Sequence, residues 1–431
     1  MNDTPRQATR LEAIGGRFDP WLLGAMLALA SLGVVMVASA SIYQHGNPFY
    51  YLIRHGMFLV AGAGLAWWVT RTELKSIEAR NHLLLLGCVV LLLLVFVPGL
   101  GVSVKGAHRW INLGVSNFQV VEVVKVFFIV WLASYLVRFR DEVNATWAAM
   151  LKPLGVVVLL VALLLMQPDF GSSSLLLAIT AGMLVLGGVN MPRMFGPVLV
   201  GLPILAVIAI AEPYRMRRLT SFSDPWADPF GSGYQLTNAL MAIGRGEWSG
   251  IGLGGSVLKL NYLPEVHTDF IFSVIGEELG FVGVCLVVAL YALLVGRAFV
   301  IGLRCVEMRR HFAGYVAFGV ALWIGMQSFV SMGVNLGLLP TKGLTLPLIS
   351  SGGSSILMTC VAMGLLLRVS YELERTQRQV ALRGEALQTT PSGEARAPAD
   401  SASPQPPSLS EKLRGTSRLR SRVEPTFERI A

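Results

Sequence analysis

Apolar residues gather in long runs along this chain, and the runs recur from residue 21 to residue 368 with polar intervals between them. The hydrocarbon core of a bilayer is about 30 Å thick and a helix rises about 1.5 Å per residue, so a spanning segment needs about 20 mostly apolar residues. Runs of that size predict spans near 21–42, 50–70, 82–100, 119–137, 151–167, 172–190, 194–211, 270–296, 314–338 and 345–368. The expected fold class is an all-α integral membrane protein with about ten transmembrane helices. The first run follows Arg6, Arg10 and Arg17 and precedes Ala38-Ser39-Ala40, which mimics a signal-peptide cleavage site. Trp21 to Val37 is too long for a signal peptide and reads as a retained helix.

Charge orients these spans. Arg71, Lys75 and Arg80, then Arg138, Arg140 and Lys152, then Arg193, then Arg297, Arg304, Arg309 and Arg310 fall in alternate connections, which marks those as cytoplasmic. The short opposite loops at Gln44 to Pro48 and Pro168 to Gly171 hold no Lys or Arg. Both termini are then cytoplasmic. The long loop 212–268 carries Arg215, Arg217, Arg218, Arg245 and Lys259 on the outside, as long translocated segments can. Its length, aromatic content and turn signals such as Gly231-Ser232-Gly233-Tyr234 point to a functional loop.

Composition changes the picture only at the margins. The chain is 54% hydrophobic and 14% charged. A net charge of +9 would fit nucleic acid, yet the basic residues sit in short loops and the C-terminal tail, so topology explains them and no nucleic-acid partner is expected. Cys88, Cys285, Cys305 and Cys360 lack the paired spacing of a disulfide framework or zinc site. The expected organisation is a cytoplasmic segment at 1–20, a membrane domain at 21–371, and a Pro-, Ser- and Arg-rich disordered tail at 372–431. The tail's Arg418-Leu419-Arg420-Ser421-Arg422 cluster is either solvated or held against anionic lipid or a cytoplasmic partner.

Charges within spans are costly and mark candidate sites. Glu122 and Lys125 stand three apart, on one helix face, as either a helix-holding pair or a substrate contact. Arg109, in Lys105-Gly106-Ala107-His108-Arg109-Trp110-Ile111-Asn112, offers a planar donor fork for phosphate or serves as an interfacial anchor. The densest polar cluster near any span is Leu263-Pro264-Glu265-Val266-His267-Thr268-Asp269-Phe270, with Glu277 and Glu278 about two turns inside. Asp269 is placed to cap the eighth span or to do chemistry, and three titratable side chains beside a long outer loop tilt the balance to chemistry. His267 is a candidate proton relay or a hydrogen-bonded bystander. Lys342, in Pro340-Thr341-Lys342-Gly343, is a compact outer cation for phosphate or an interfacial anchor.

Read together, these motifs resemble the SEDS family of cell-wall polymerases (shape, elongation, division and sporulation). The resemblance spans nearly all of the membrane region, through Val35-Met36-Val37-Ala38-Ser39-Ala40-Ser41, Arg109-Trp110-Ile111, Gln167-Pro168-Asp169, Pro264 to Phe270, Gly276-Glu277-Glu278 and Gly352 to Ser355. Lys259-Leu260 and Pro340-Thr341-Lys342-Gly343 are more similar to its division branch than to its elongation branch. Two departures, Val120-Val121 after Gln119 where Pro-Ser is common and Ser351 where Tyr is common, bear on local helix geometry.

The resemblance implies that Asp269 matches the family's essential aspartate, that Glu122 and Lys125 match its buried pair, and that Arg109 and Lys342 match cavity residues near substrate. It implies inverting glycosyl transfer on the outer face of the cytoplasmic membrane. A sugar hydroxyl of one lipid II attacks the anomeric carbon of another and displaces undecaprenyl pyrophosphate. It also implies a class B transpeptidase partner and division regulators. Asp269 as base fits that chemistry, although a helix N-terminus weakens a carboxylate as a base, so a role in orienting the acceptor or holding a divalent cation stays open. A lipid II flippase and a scaffold for division partners are the competing readings. The first needs charges spread through the midplane and the second needs no Asp269.

Overall fold

The computed structural model describes residues 15–42, 49–104, 106–112, 114, 117–260 and 263–389. Arg6, Arg10, the Gln44 to Pro48 loop, Lys105 and the tail beyond residue 389, with its Arg418 to Arg422 cluster, lie outside these. Eight of the described helices are long and apolar enough to cross a membrane: Pro20–Ser41 (α1), Tyr50–Arg71 (α2), Val120–Arg138 (α5), Trp147–Met166 (α7), Met191–Ala211 (α9), Ile271–Glu307 (α12), His311–Asn335 (α13) and the helix opening at Gly353 (α14). Two shorter apolar helices, Asn81–Leu94 (α4) and Phe170–Leu186 (α8), occupy the third and sixth predicted runs. Leu74–Ala79 (α3) and Arg140–Ala145 (α6) are short connecting helices.

Local chemistry sets the starts. Asp19 accepts from Leu22 N at 2.9 Å ahead of Pro20 at the first turn of α1, and Asp169 accepts from Ser172 N at 3.1 Å to open α8. The centre of the bundle is α5, α13 and α14, which are largely buried, while little of α9 is buried. Small residues let the helices close up, as where Gly302 and Gly314 set α12 against α13.

Four features depart from the sequence expectation. First, the connection before α5 folds into a small antiparallel sheet of Gly101–Val104 (β1), Ala107–Asn112 (β2) and Asn117–Gln119 (β3), paired in chain order. Second, loop 212–268 contains two helices, Pro213–Ser223 (α10) and Tyr234–Arg245 (α11).

Third, α12 runs to Glu307, so Arg297 and Arg304 lie on the helix and not in a connection. Arg297 pairs with Asp19, and Arg304 sits in the last turn, where the helix dipole favours a cation. Burial raises the Asp19 carboxyl pKa, but bonds from Arg297 and Leu22 N outweigh it and leave a net lowering.

Fourth, the last span does not begin at 345. Residues 340–352 enter the bundle as irregular backbone, with Leu348 at φ +67°, and α14 starts only at Gly353. Pro347 disfavours helix at the residue before it. The segment's polar groups are met instead by Ser350, whose hydroxyl accepts from Leu346 N at 2.8 Å and donates to Thr268 O at 2.6 Å. At its far end α14 continues to Thr389, past the point where the sequence turns polar at 372. Ion pairs at four-residue spacing, Arg368 with Glu372 and Glu374 with Arg378, stabilise that polar extension.

A break inside α12 shapes everything near it. Gly280 has φ +65° and ψ −162°, a region open essentially to glycine alone. The helix bonds that would join Glu277 to Phe281 and Glu278 to Val282 are replaced by bonds to the loop after α11. Ile251 N and Gly252 N donate to Glu277 O and Glu278 O, both at 3.1 Å. Phe281 N and Val282 N donate to Glu247 O and Trp248 O, at 2.9 and 3.2 Å. An interrupted helix within a bilayer needs such replacement partners.

Candidate active site

The segment leading into α12 is held from below by two buried apolar side chains, Leu263 and Val266, and from the sides by its own backbone. Glu265, at φ +56°, turns its carbonyl to accept from the amides of Thr268, Asp269 and Phe270. Three further bonds pin the turn to neighbouring elements. Ser351 N donates to His267 O at 2.9 Å, Ser350 Oγ to Thr268 O, and Asn335 Nδ2 to Asp269 O at 2.9 Å. Asn335 is fully buried and also accepts from Ser273 N and Oγ, so one amide joins the end of α13 to the start of α12.

Asp269 stands one residue ahead of the N-cap position of α12. That position is filled by Phe270, whose side chain offers no cap. The Asp269 carboxylate lies beside the irregular segment, where a methyl group on Gly343 would lie 3.1 Å from Oδ2. Lys342, next along, places Nζ 3.5 Å from Ser174 Oγ and 5.1 Å from the centroid of Phe170. Burial lowers its ammonium pKa from the ordinary lysine value. Phe170 follows Asp169, whose Oδ1 lies 3.9 Å from Arg109 Nη1. Arg109, on β2, donates from Nε to Gln167 O at 3.1 Å and from Nη2 to Pro168 O. Asp269 is thus next to the Lys342 segment through Gly343, and Phe170 connects Lys342 to the Asp169 and Arg109 pair.

Glu122 and Lys125 meet at 2.9 Å inside α5, both almost wholly buried. Lys125 Nζ also donates to Gln327 Oε1 at 2.7 Å and lies 4.6 Å from the Trp323 ring. Gln327 Nε2 donates in turn to Thr345 O at 2.8 Å, so the pair is wired to the same irregular segment that carries Lys342 and Gly343. Glu122 Oε2 is buried with no hydrogen-bond partner among the described residues. His267 takes a different direction, its ring against Tyr51 with 4.1 Å between centroids.

Sequence reading missed a second buried charge cluster. Lys259 Nζ donates to Glu278 Oε1 at 2.8 Å, to Gly254 O at 2.9 Å and to Ser39 Oγ at 3.1 Å. Glu277 accepts from Ser256 Oγ and from Val257 N at 3.1 Å, with Arg245 at 3.6 Å. The available signal was the demand of two adjacent carboxylates in an apolar run for cations. Nothing in the spacing named Lys259, 19 residues earlier, as the partner. As for a divalent cation, no three His, Cys, Asp or Glu side chains converge to hold one among the described residues, so the donor set does not form a cage of protein ligands at Asp269.

Comparison with known proteins decides the family. The model of the cell cycle protein family FTSW_RODA_SPOVE matches residues 20–375. The chain belongs to this family. It is 66% identical to the probable peptidoglycan glycosyltransferase FtsW of Xanthomonas oryzae pv. oryzae, across 100% of this chain and 94% of that relative. A Legionella pneumophila protein of the same description is 46% identical over 82% of this chain and 91% of its own. Among solved structures, a chain from work on the structural coordination of polymerization and crosslinking by a peptidoglycan synthase complex superposes with a TM-score of 0.69. It shares 30% identity and covers 83% of this chain and 98% of its own. The rod shape determining protein RodA of Thermus thermophilus gives 0.61 at 29% identity, over 82% and 96%. The multi-pass membrane architecture and the resemblance read from the motifs both agree with this membership.

Proposed function

We propose that this chain is a peptidoglycan glycosyltransferase that polymerises lipid II into glycan strands at the outer face of the cytoplasmic membrane during cell division. The observation that carries the reading is the Asp269 carboxylate, held by a turn anchored at three successive carbonyls and set against the Gly343 and Lys342 segment. The family membership and the names of the relatives support it. In this reading Asp269 accepts the proton of the attacking sugar hydroxyl or orients it. Lys342 and Arg109 stabilise negative charge developing on the departing pyrophosphate. Glu122 and Lys125 brace the segment that carries Lys342 through Gln327 and Thr345, and His267 holds the turn against α2. Lipid II and membrane lipid are the small-molecule partners. A class B transpeptidase and division regulators are the protein partners, at the septum of a cell with an inner membrane.

Incubation of the purified protein with labelled lipid II, with and without the transpeptidase, tests the reading directly. A ladder of glycan chains is expected on a gel. No ladder under either condition, with the protein folded, returns the flippase and scaffold readings.

The same reading places both termini in the cytoplasm and loop 212–268 outside, from the basic residues of the alternate connections. A cysteine introduced at Ser232 is expected to react with a membrane-impermeant reagent in intact cells. Labelling only after lysis reverses the orientation.

Breaking the Glu122–Lys125 pair by removing one partner is expected to cost roughly 3 to 5 kcal/mol. Exchanging the two, Glu122→Lys with Lys125→Glu, is expected to leave polymerisation impaired, because the new carboxylate would face Gln327 Oε1 and the Trp323 ring. Full activity in the exchanged protein would reduce the pair to a clamp between helices.

A further inference from the structure

The residues ahead of α1 are tied to two helices far from them in sequence. Asp19 pairs with Arg297 of α12, and its backbone N donates to Ser370 Oγ of α14 at 3.4 Å. The Phe18 ring lies 5.7 Å from that of Tyr371, again on α14. Between these three elements, at the end of the bundle opposite Asp269, lies a cavity of about 370 Å³. Its wall is cationic and apolar together, with Arg17, Arg304 and Arg378 beside Ile301 and Leu373.

Two carboxylates also line the cavity, and each already has a cation. Asp19 has Arg297, and Glu374 has Arg378 at 2.9 Å. Arg17 and Arg304 are left over, since among the described residues neither side chain makes a hydrogen bond or an ion pair. The last turn of α12 favours the charge of Arg304. Arg17 has no such support, because it stands just ahead of the N-terminus of α1, where the helix dipole disfavours a cation. An anion in the cavity would meet both charges, and a guanidinium fork suits a phosphate.

Position selects the kind of phosphate. The apolar span α1 begins at Pro20, which lines the cavity, and the next residue, Trp21, is 63% exposed, as an aromatic at a membrane interface is. The cavity is therefore at headgroup level. Its arginines suit the phosphate of a lipid, and Ile301 and Leu373 suit the glycerol and the first methylenes, for which a soluble anion has no use. Basic pockets between membrane helices take anionic lipid headgroups in this way.

We propose that Arg17 and Arg304 form a site for the headgroup phosphate of an anionic phospholipid, of which phosphatidylglycerol is the simplest. The lipid bridges the start of α1 and the end of α12 and braces the polar extension of α14. Its assignment to the inner leaflet rests on the orientation proposed above, and the site itself does not depend on glycosyl transfer.

Native mass spectrometry of the full-length protein in detergent, titrated with phosphatidylglycerol, phosphatidylcholine and glycerol phosphate, tests the site. The parent protein is expected to hold phosphatidylglycerol at least about fivefold more tightly than phosphatidylcholine, and glycerol phosphate more weakly than either lipid. Arg17→Gln and Arg304→Gln are each expected to lose about fivefold toward phosphatidylglycerol, the effect of one cation beside an anionic lipid, and to lose less toward phosphatidylcholine. Arg309→Gln, an exposed arginine near the same end of α12 but outside the cavity, is expected to bind as the parent does. Thermal unfolding in detergent gives a second readout, in which phosphatidylglycerol is expected to raise the melting temperature of the parent more than that of the Arg17→Gln Arg304→Gln double variant. Unchanged phosphatidylglycerol binding in both single variants overturns the site. An equal loss in Arg309→Gln also overturns it, by reducing the effect to the overall positive field. Glycerol phosphate bound as tightly as the lipid overturns a phospholipid as the occupant. None of these measurements requires polymerisation, so their failure leaves the glycosyltransferase reading standing, and a protein that makes no glycan can still show the site.

Discussion

Purified Asp269→Asn protein is expected to polymerise lipid II at least about 10²-fold more slowly than the parent chain, the low end for loss of a general base. The substitution conserves size and most hydrogen bonding, so insertion and partner binding are expected to persist. Its meaning depends on what Asp269 does for the fold. Asn caps helices about as well as Asp, so a lost cap cannot account for lost activity. The turn is pinned through the carbonyls of His267, Thr268 and Asp269, none of which the substitution removes. What changes is the carboxylate beside Gly343. Near-normal polymerisation by folded Asp269→Asn protein would remove Asp269 from the chemistry and return Glu265 and His267 to candidacy.

A large effect on stability is expected at Lys259. It is almost fully buried, as is its partner Glu278, and a buried pair that loses one member typically costs roughly 3 to 5 kcal/mol because the survivor stays charged and uncompensated. Lys259→Met fills similar volume, so the loss reports charge and not a cavity. Ser39 Oγ, which donates to the same carboxylate at 2.7 Å, cannot neutralise it. A thermal unfolding series in detergent should place Lys259→Met far below the parent, with Lys259→Met plus Glu278→Gln recovering much of the difference. A single variant that melts with the parent would show that Glu278 is neutral in the folded protein or reached by water.

How far the sequence reached depends on the range of each interaction. The spans were legible because the bilayer imposes one local rule on every stretch of about 20 residues. The Glu122 and Lys125 pair was legible for a similar reason, since three residues return to one helix face. Residues 340–352 were not, because their apolar side chains satisfy a hydropathy reading while Pro347, the Ser350 hydroxyl and the Ser351 amide hold them outside any helix. Nor was the Lys259 and Glu278 pair, which exists only because loop and helix are already joined. Arg215 looked like an exception to a topology rule, and nothing in the sequence paired it with Phe170. Residue types at the site could be named in advance, but which of them touch could not.

The join at Gly280 also changes how the loop after α11 should behave over long times. Its amides at Ile251 and Gly252 are bonded to carbonyls of a membrane helix, so they should resist hydrogen–deuterium exchange as slowly as the helix core does, while neighbouring turns label within seconds. The same bonding removes the freedom to vary in length that surface loops ordinarily have. A residue inserted between Glu247 and Gly252 would shift one set of donors off its acceptors and reopen the helix at its weakest point.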